Sequence, residues 1–178
     1  MKYVETILPD VWIVELERHV VDRGFFARSW CEEEFRARGL NPRLAQCSVS
    51  FNSRRGTLRG LHYQAAPHAE AKLVRCTRGA VHDVVLDLRT ESKSFKQWMT
   101  VELTEDNGRA VYIPEGCAHG FQTLTDNTEV LYQISEFFHP QSSRGVRWND
   151  PAFGIVWPME NPILSERDGH HPLLPPGP

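Results

Sequence analysis

The segment RGLHYQ (residues 59–64) contains the first side chain that could carry acid–base chemistry. A histidine titrates near neutral pH, so His62 could accept or donate a proton in a reaction. If the segment is a strand, residues 60, 62 and 64 share one face and residues 59, 61 and 63 the other. On spacing alone, a single histidine is more often a satisfied structural residue than a catalytic one.

A second segment, residues 108–121, ends in YIPEGCAHGF and has a recognisable spacing. Gly108, Pro114, Gly116 and His119 match the second sequence motif of the cupin superfamily. Many cupins bind a metal ion through this histidine, a carboxylate and two histidines at positions i and i+2, which share a strand face. Here Gln64 stands two residues after His62, so at least one imidazole is lacking. We therefore expect no metal, with His119 pointing into a barrel.

Two further segments contain side chains that could move or hold a proton. Tyr132 lies in EVLYQIS (residues 129–135), where a tyrosine usually belongs to the core with its hydroxyl at the edge. Asp168 lies in SERD (residues 165–168), followed by His170 and His171. A carboxylate this close to the end of a chain is usually solvated, and the histidine pair is more often exposed than ligating.

Glycines and prolines interrupt the chain every ten or so residues, and the apolar runs between them are short. This rhythm is typical of an all-β barrel or sandwich. The pattern predicts a short helix over residues 29–38, ended by Gly39, a closing helical turn within residues 162–174, and a disordered tail at residues 175–178. The predicted strands cover residues 11–16, 57–63, 72–78, 80–89, 97–103, 109–113, 120–123 and 128–135.

Acidic residues interrupt the apolar strand at residues 80–89. Alternation places Asp83 and Asp87 on one face, and Val84, Leu86 and Leu88 on the packed face. The acids could line the cavity of a closed barrel. They could equally face solvent on an open sheet, and the pattern alone does not separate the two interpretations.

Composition excludes several classes of protein. The 178 residues fit a single domain (1–178), and the net charge of −3 does not suggest a broad nucleic-acid surface. The sequence has no apolar run long enough for a signal peptide or a membrane span, so we expect a cytoplasmic protein. The four cysteines form no CxxC pair, and we expect free thiols that act as small buried or half-buried hydrophobes, with a catalytic thiol as the alternative.

Together, several segments resemble the dTDP-4-dehydrorhamnose 3,5-epimerase family over residues 3–174. In order they are RGLHYQ, KLVRCTRG, HDVVLDLR, YIPEGCAHGFQTL, EVLYQ, RGVRWNDPAFGIVWP and PILSERD. The resemblance implies a cupin jelly-roll barrel with short peripheral helices and a homodimer. It also implies dTDP-4-keto-6-deoxy-D-glucose as the substrate, with no metal or organic cofactor.

The resemblance also implies a role for individual residues. His62 matches the family's catalytic base, Asp168 the carboxylate that orients it, and Tyr132 the proton donor on the opposite face of the sugar. Lys72 matches a lysine near the ketone oxygen. The matched binding positions are Arg59 at the diphosphate, Arg23 and Phe26 reaching phosphate and base across the dimer, Gln46 and His119 in the pocket wall, and Asp83 beside the catalytic group.

The sequence departs from the family pattern at four positions. Phe138 stands where many members have a second tyrosine in the pocket. The other departures are Cys117, Ser48 and His82. The first departure leaves open whether C3 and C5 are both inverted and whether the nucleotide is thymidine. The alternatives are a 3- or 5-mono-epimerase of another nucleotide-linked 4-keto sugar, a metal-dependent cupin enzyme, and a non-catalytic sugar-binding cupin.

Overall fold

The computed structural model describes residues 1–174, and the predicted all-β fold is confirmed within them. No helix there is long and apolar enough to cross a membrane. The tail at residues 175–178, for which we predicted disorder, lies outside the described residues. The elements are β1 (Lys2–Glu5), β2 (Trp12–Glu15), β3 (His19–Val21), β4 (Gly24–Phe26), α1 (Glu32–Arg36), β5 (Gln46–Asn52), β6 (Leu58–Gln64), β7 (Lys72–Arg78), β8 (Ala80–Asp87), β9 (Trp98–Thr104), β10 (Ala110–Ile113), β11 (Cys117–Thr123), β12 (Thr128–Ile134), β13 (Ser143–Gly145) and α2 (Glu166–Gly169).

Two antiparallel sheets form a jelly-roll barrel. The six-stranded sheet has the order β1-β2-β10-β7-β12-β5, and the five-stranded sheet has the order β13-β6-β11-β8-β9. Most neighbours in these sheets are distant in sequence, as a jelly roll requires. A separate hairpin of β3 and β4 stands apart from both sheets.

The two sheets pack face to face over one apolar core. Val74, Val111 and Val130 of the six-stranded sheet belong to the same buried cluster as Val85 and Phe121 of the five-stranded sheet. Burial of such a side chain contributes roughly 1.5–3 kcal/mol relative to exposure. The core therefore fixes how the strands that carry polar residues face one another.

Chain segments outside the barrel cover the outer faces of both sheets. Phe35 of α1 packs on the six-stranded sheet against Tyr112, with the ring centroids 5.6 Å apart. Phe153 and Trp157 pack on the five-stranded sheet against a cluster that includes Leu86. Both faces of each sheet are therefore apolar in part, which explains why the predicted strands lack a strict alternation.

Some predicted boundaries were wrong for identifiable reasons. The helix begins at Glu32 and not at residue 29, because Cys31 has an extended backbone with φ −152°. The strand predicted from residue 120 begins at Cys117, directly after the turn at Gly116, because pairing with β8 already starts there. Strands β1, β3, β4, β5 and β13 were not predicted at all.

Asp83 and Asp87 are both fully buried on the inner face of β8, so the solvent-facing interpretation is wrong. Asp87 is the last residue of β8 and anchors the following loop. Its carboxylate accepts hydrogen bonds from Arg89 at 2.9 Å and from Ser92 and Ser94 at 2.7 Å. Burial alone would raise the pKa of Asp87, but these hydrogen bonds hold it well below its usual range.

Replacing Asp87 by asparagine removes the charge from these hydrogen bonds. We expect Asp87→Asn to lower the free energy of unfolding by about 2 kcal/mol at pH 7. The pKa of Asp87 is lower in the folded protein than in the unfolded protein. Its contribution to the free energy of unfolding is therefore complete above the pKa of the unfolded state, and it is lost as the pH falls towards the pKa of the folded state. Urea unfolding at pH 7 and pH 3 should therefore show a smaller difference between the proteins at pH 3. Asp10→Asn, which removes a 69 % exposed partner of Arg89, is the control, and an effect of equal size there would contradict the assignment.

Candidate active site

A cavity of about 380 Å³ opens between the two sheets. Its walls come from β5 and β12 of the six-stranded sheet and from β6 and β11 of the five-stranded sheet. Seven of the residues predicted to form the site line it, namely Gln46, Arg59, His62, Lys72, His119, Tyr132 and Phe138. A cavity of this size and mixed polarity suits a small-molecule ligand.

A short polar contact joins His62, in the cavity wall, to Asp168 behind it. The His62 Nε2 atom lies 2.6 Å from Asp168 Oδ1, although the residues are 106 positions apart in the chain. Asp168 is held from behind, because its backbone N–H donates to the hydroxyl of Ser165 and its Oδ2 atom faces the backbone N–H of Gly60 at 3.4 Å. The His62 side chain is 39 % exposed, whereas that of Asp168 is 6 % exposed.

This arrangement selects a tautomer of His62. Burial alone would raise the pKa of Asp168, but the hydrogen bond and the charge of His62 lower it, so the carboxylate is an acceptor at neutral pH. The proton of the neutral imidazole then lies on Nε2, and Nδ1 has a free lone pair. His62 can therefore accept a proton at Nδ1, and Asp168 stabilises the cation that results.

The close approach of β6 and β11 depends on glycine. Gly60 has φ +124°, and a Cβ atom there would collide with the Gly120 backbone. Two residues after Gly60 on β6 and one residue before Gly120 on β11, His62 and His119 are direct partners in the register. The glycines thus let the two histidines be presented side by side on one wall.

Tyr132 faces these histidines from the other sheet. It belongs to β12, and its ring lies 5.8 Å from that of His119. Burial raises the pKa of Tyr132, and the charge of Asp83 raises it further, so the phenol keeps its proton at neutral pH. Tyr132 can therefore act as a proton donor across the cavity from His62.

His119 is held by Asp83, the second buried acid of β8. The His119 Nε2 atom lies 2.8 Å from Asp83 Oδ2, and the exposed fractions of the two side chains are 4 % and 0 %. Asp83 does not itself line the cavity but acts on it through His119. The Nε2 atom of His119 is therefore already paired with a carboxylate.

Lys72 and Arg59 bring positive charge to the cavity wall. The Lys72 ammonium lies 2.8 Å from the Glu70 carboxylate and donates to the backbone carbonyl of His62 at 3.3 Å. The Arg59 Nε atom donates to the Asn52 side chain at 2.7 Å, which leaves part of its guanidinium open to the cavity. These cations can stabilise negative charge on a ligand.

The comparisons with known proteins agree with this geometry. The family model for dTDP-4-dehydrorhamnose 3,5-epimerase matches residues 5–175. The chain belongs to this family. The predicted enzyme class, an isomerase, is therefore confirmed.

Individual relatives of this epimerase are similar over nearly the whole chain. The dTDP-4-dehydrorhamnose 3,5-epimerase of Shigella flexneri is 42 % identical over 94 % of this chain and 93 % of its own. The crystal structure of the Bacillus anthracis enzyme, which contains TDP and PPi, has a TM-score of 0.94 at 40 % identity and covers 97 % of this chain and 99 % of that one. A 4-keto-6-deoxy sugar epimerase from the novobiocin gene cluster of Streptomyces spheroides has a TM-score of 0.92 at 36 % identity and covers 97 % and 87 %.

Two predicted site residues of the epimerase lie away from the cavity. Arg23 and Phe26 are exposed in and beside the β3–β4 hairpin, and Phe26 is 76 % exposed. Neither lines the cavity of its own chain. Their expected roles, which reach across a dimer, stay predictions.

The structure also adds cavity residues that the sequence analysis missed. Glu70 and Arg167 line the cavity, and His171 lies behind it at 3.5 Å from Asp168. Glu70 lies just before β7 and its carboxylate pairs with the Lys72 ammonium at 2.8 Å, so the opposite charges two positions apart were a usable signal for it. Within residues 1–174, the set His62, Asp168 and His171 offers donor atoms close enough to share a metal ion.

Gln64 has a structural role at the rim of the epimerase cavity. Its amide donates to the carbonyls of His68 and Phe137 at 3.0 Å and accepts from the backbone N–H of His139 at 2.6 Å. It therefore ties two loops to β6. This use of its amide makes Gln64 a poor substitute for the missing cupin ligand.

The His62–Asp168 contact can be tested by an isosteric change. In Asp168→Asn the amide NH₂ can donate to His62 Nε2, which shifts the ring proton to Nδ1 and removes the base. We expect turnover to fall by about 10²–10⁴-fold with the fold intact. Steady-state rates and circular dichroism measure both quantities. Glu166→Gln on the same short helix is the matched control, and a rate for Asp168→Asn within about twofold of it would refute the dyad.

Proposed function

We propose that this epimerase inverts C3 and C5 of dTDP-4-keto-6-deoxy-D-glucose to give dTDP-4-keto-L-rhamnose, in dTDP-deoxysugar biosynthesis. One observation carries the proposal. A base oriented by a carboxylate, His62 with Asp168, lies on one wall of a cavity, and a protonated phenol, Tyr132, lies on the other. Inverting a carbon by proton transfer requires groups on both faces of the sugar.

The residues of the cavity suffice for the chemistry. A C–H next to a ketone becomes acidic when the developing enolate oxygen is stabilised, and the Lys72 ammonium can do this. His62 Nδ1 takes the proton while the electron pair of the C–H bond moves to the enolate oxygen. Tyr132 then gives its proton to the same carbon from the opposite face. Exchange with solvent restores both residues, and no metal or organic cofactor is required.

Arg59 would bind the diphosphate of the substrate. The Arg59 guanidinium, fixed by Asn52, has the fork geometry that suits a diphosphate. Binding of the diphosphate holds the sugar ring between the acid, Tyr132, and the base, His62. The reacting groups are then already positioned, which lowers the entropic cost of the reaction. Gln46 supports the rim, because its side-chain carbonyl accepts from the backbone N–H of Phe138 at 2.6 Å.

We also propose that the enzyme is a homodimer of the cytoplasm. The β3–β4 hairpin exposes Val20 (78 %) and Phe26 (76 %), and the edge strand β5 exposes Val49 (59 %) and Phe51 (51 %). Ser48 and Ser50, on the opposite face of the same strand, line the cavity. A partner that covers β5 would thus bring its own hairpin, with Arg23 and Phe26, to this cavity.

The dimer proposal makes two predictions, one for the mass of the protein in solution and one for the KM of the Arg23→Ala variant. Sedimentation equilibrium at micromolar concentration should give twice the mass of the chain. Arg23→Ala should leave that mass unchanged and raise KM about tenfold or more, because one charge-assisted contact to phosphate is lost. Arg28→Ala, which removes another exposed arginine close by in sequence, is the control. A monomeric protein would refute the assignment across subunits.

A mono-epimerase is the second candidate, and Phe138 favours it. This ring lines the cavity but offers no hydroxyl where a second tyrosine is common in the family. A cavity with fewer proton donors could reprotonate one centre only. The single-centre reaction would use the same base and the same enolate.

Deuterium exchange distinguishes these functions. We expect NMR of dTDP-4-keto-6-deoxy-D-glucose incubated with the enzyme in D₂O to show deuterium at both C3 and C5, and His62→Ala to abolish both. Tyr132→Phe should impair epimerisation yet still permit exchange, because His62 abstracts the proton. Exchange at one carbon would favour the mono-epimerase, and Phe138→Tyr would then be the informative variant. Absence of exchange with this and other nucleotide 4-keto sugars would refute the catalytic proposal.

A further inference from the structure

His171 lies beside the His62–Asp168 pair but has no part in the mechanism above. Its Nε2 atom is 3.5 Å from Asp168 Oδ1, the same oxygen that faces His62. The side chain is only 10 % exposed, and its buried Nε2 atom has no hydrogen-bond partner among the described residues. A buried, unpartnered nitrogen next to a carboxylate calls for an explanation.

The packing around Gly145 leaves a space that the His171 imidazole fills. A Cβ atom on Gly145 would overlap the His171 ring, so the ring fits only because position 145 is glycine. Gly145 is the direct partner of His62 in the pairing of β13 with β6. The rings of His171 and His62 are 5.8 Å apart at an angle of 72°. The strand pairing therefore sets His171 next to the catalytic base.

Three donor atoms converge in this cluster. One donor from each of His62, Asp168 and His171 lies within 4.8 Å of the other two. Ligand atoms around tetrahedral Zn²⁺ are about 3.3 Å apart, so shifts of about 1 Å per side chain would complete the site. Two imidazoles and a carboxylate suit zinc-class ions.

We propose that His62, Asp168 and His171 bind a divalent transition-metal ion of the zinc class, and that the bound ion switches the epimerase off. The site is not the metal site of other cupins, because Gln64 is committed to two loops and His119 to Asp83. Binding is independent of the proposed function, whereas the inhibition rests on it.

Inhibition follows from the tautomer of His62. With Asp168 as its partner, the ring has its proton on Nε2 and a lone pair on Nδ1. A metal ion on Nε2 requires that nitrogen to be unprotonated, so the proton of the neutral ring moves to Nδ1. Nδ1 can then no longer accept a proton from a substrate. The ion would remove the base without blocking the cavity.

The binding test uses metal-free protein titrated with Zn²⁺ or Co²⁺. We expect one ion per chain, with four-coordinate visible absorption for Co²⁺. His171→Asn should weaken binding about tenfold or more, and His170→Asn, which alters the exposed neighbour, should not. In the unmodified protein, ¹⁵N NMR of the imidazoles should show shifts at His62 and His171 on zinc addition, a readout that no folding defect can affect. Absence of saturable binding, or equal affinity in both variants, would overturn the site.

The inhibition test measures deuterium exchange with and without Zn²⁺. Exchange by the unmodified enzyme and by His170→Asn should stop at stoichiometric zinc and return with a chelator. In His171→Asn the zinc concentration for half-inhibition, relative to that variant's own uninhibited rate, should rise by about tenfold or more. Continued exchange with the site filled would overturn the switch. Absence of exchange before any zinc is added would refute the proposed function instead, and the titration would still decide the site.

Discussion

The apolar outer face of the five-stranded sheet is the constraint on which the site depends. Leu86 and the other apolar side chains on this face are shielded from water by a cover, the chain after β13, through Phe153 and Trp157. That cover continues into a bridge between Thr57 and Ile163, immediately before β6. The helix α2 follows directly, so Asp168 arrives behind His62. Burial of apolar surface far from the cavity thus sets the 2.6 Å contact on which the chemistry depends.

The two acidic residues on the inner face of β8, Asp83 in the middle of the strand and Asp87 at its end, have different roles. The Asp87 carboxylate accepts hydrogen bonds from Arg89, Ser92 and Ser94 in the loop that follows β8, so its charge stabilises the fold. Asp83 has a single partner, His119, and one of its oxygens has no hydrogen-bond partner among residues 1–174. A buried carboxylate with an unused acceptor is costly for stability. Such a group is more readily explained next to a ligand cavity than in a purely structural position.

The sequence predicted the fold better than it predicted the site. Apolar runs between glycines and prolines were sufficient for β7, whose bounds matched the prediction, but β5 (QCSVSFN) was missed because its alternation is mostly polar and exposed. Strand spacing could not join His62 to Asp168, since 106 residues separate them, and only the family resemblance did so. The sequence favours an exposed His171, but its side chain is only 10 % exposed, because strand pairing creates the space for it beside Gly145. Arg23 and Phe26 are predicted to act in a partner's cavity, and no feature of a single chain can show that.

The orientation of one imidazole connects catalysis with the proposed metal site. Asp168 makes His62 a base because it is buried, fixed from behind by Gly60 and Ser165, and placed on the nitrogen that faces away from the cavity. An ionised carboxylate that is held in place beside an imidazole is also a suitable metal ligand. A second imidazole at 3.5 Å adds a third donor to the pair. A dyad in this environment stays a base only while the proton on Nε2 is not displaced, so the role of Asp168 as proton holder and the affinity of the cluster for metal compete for the same atom.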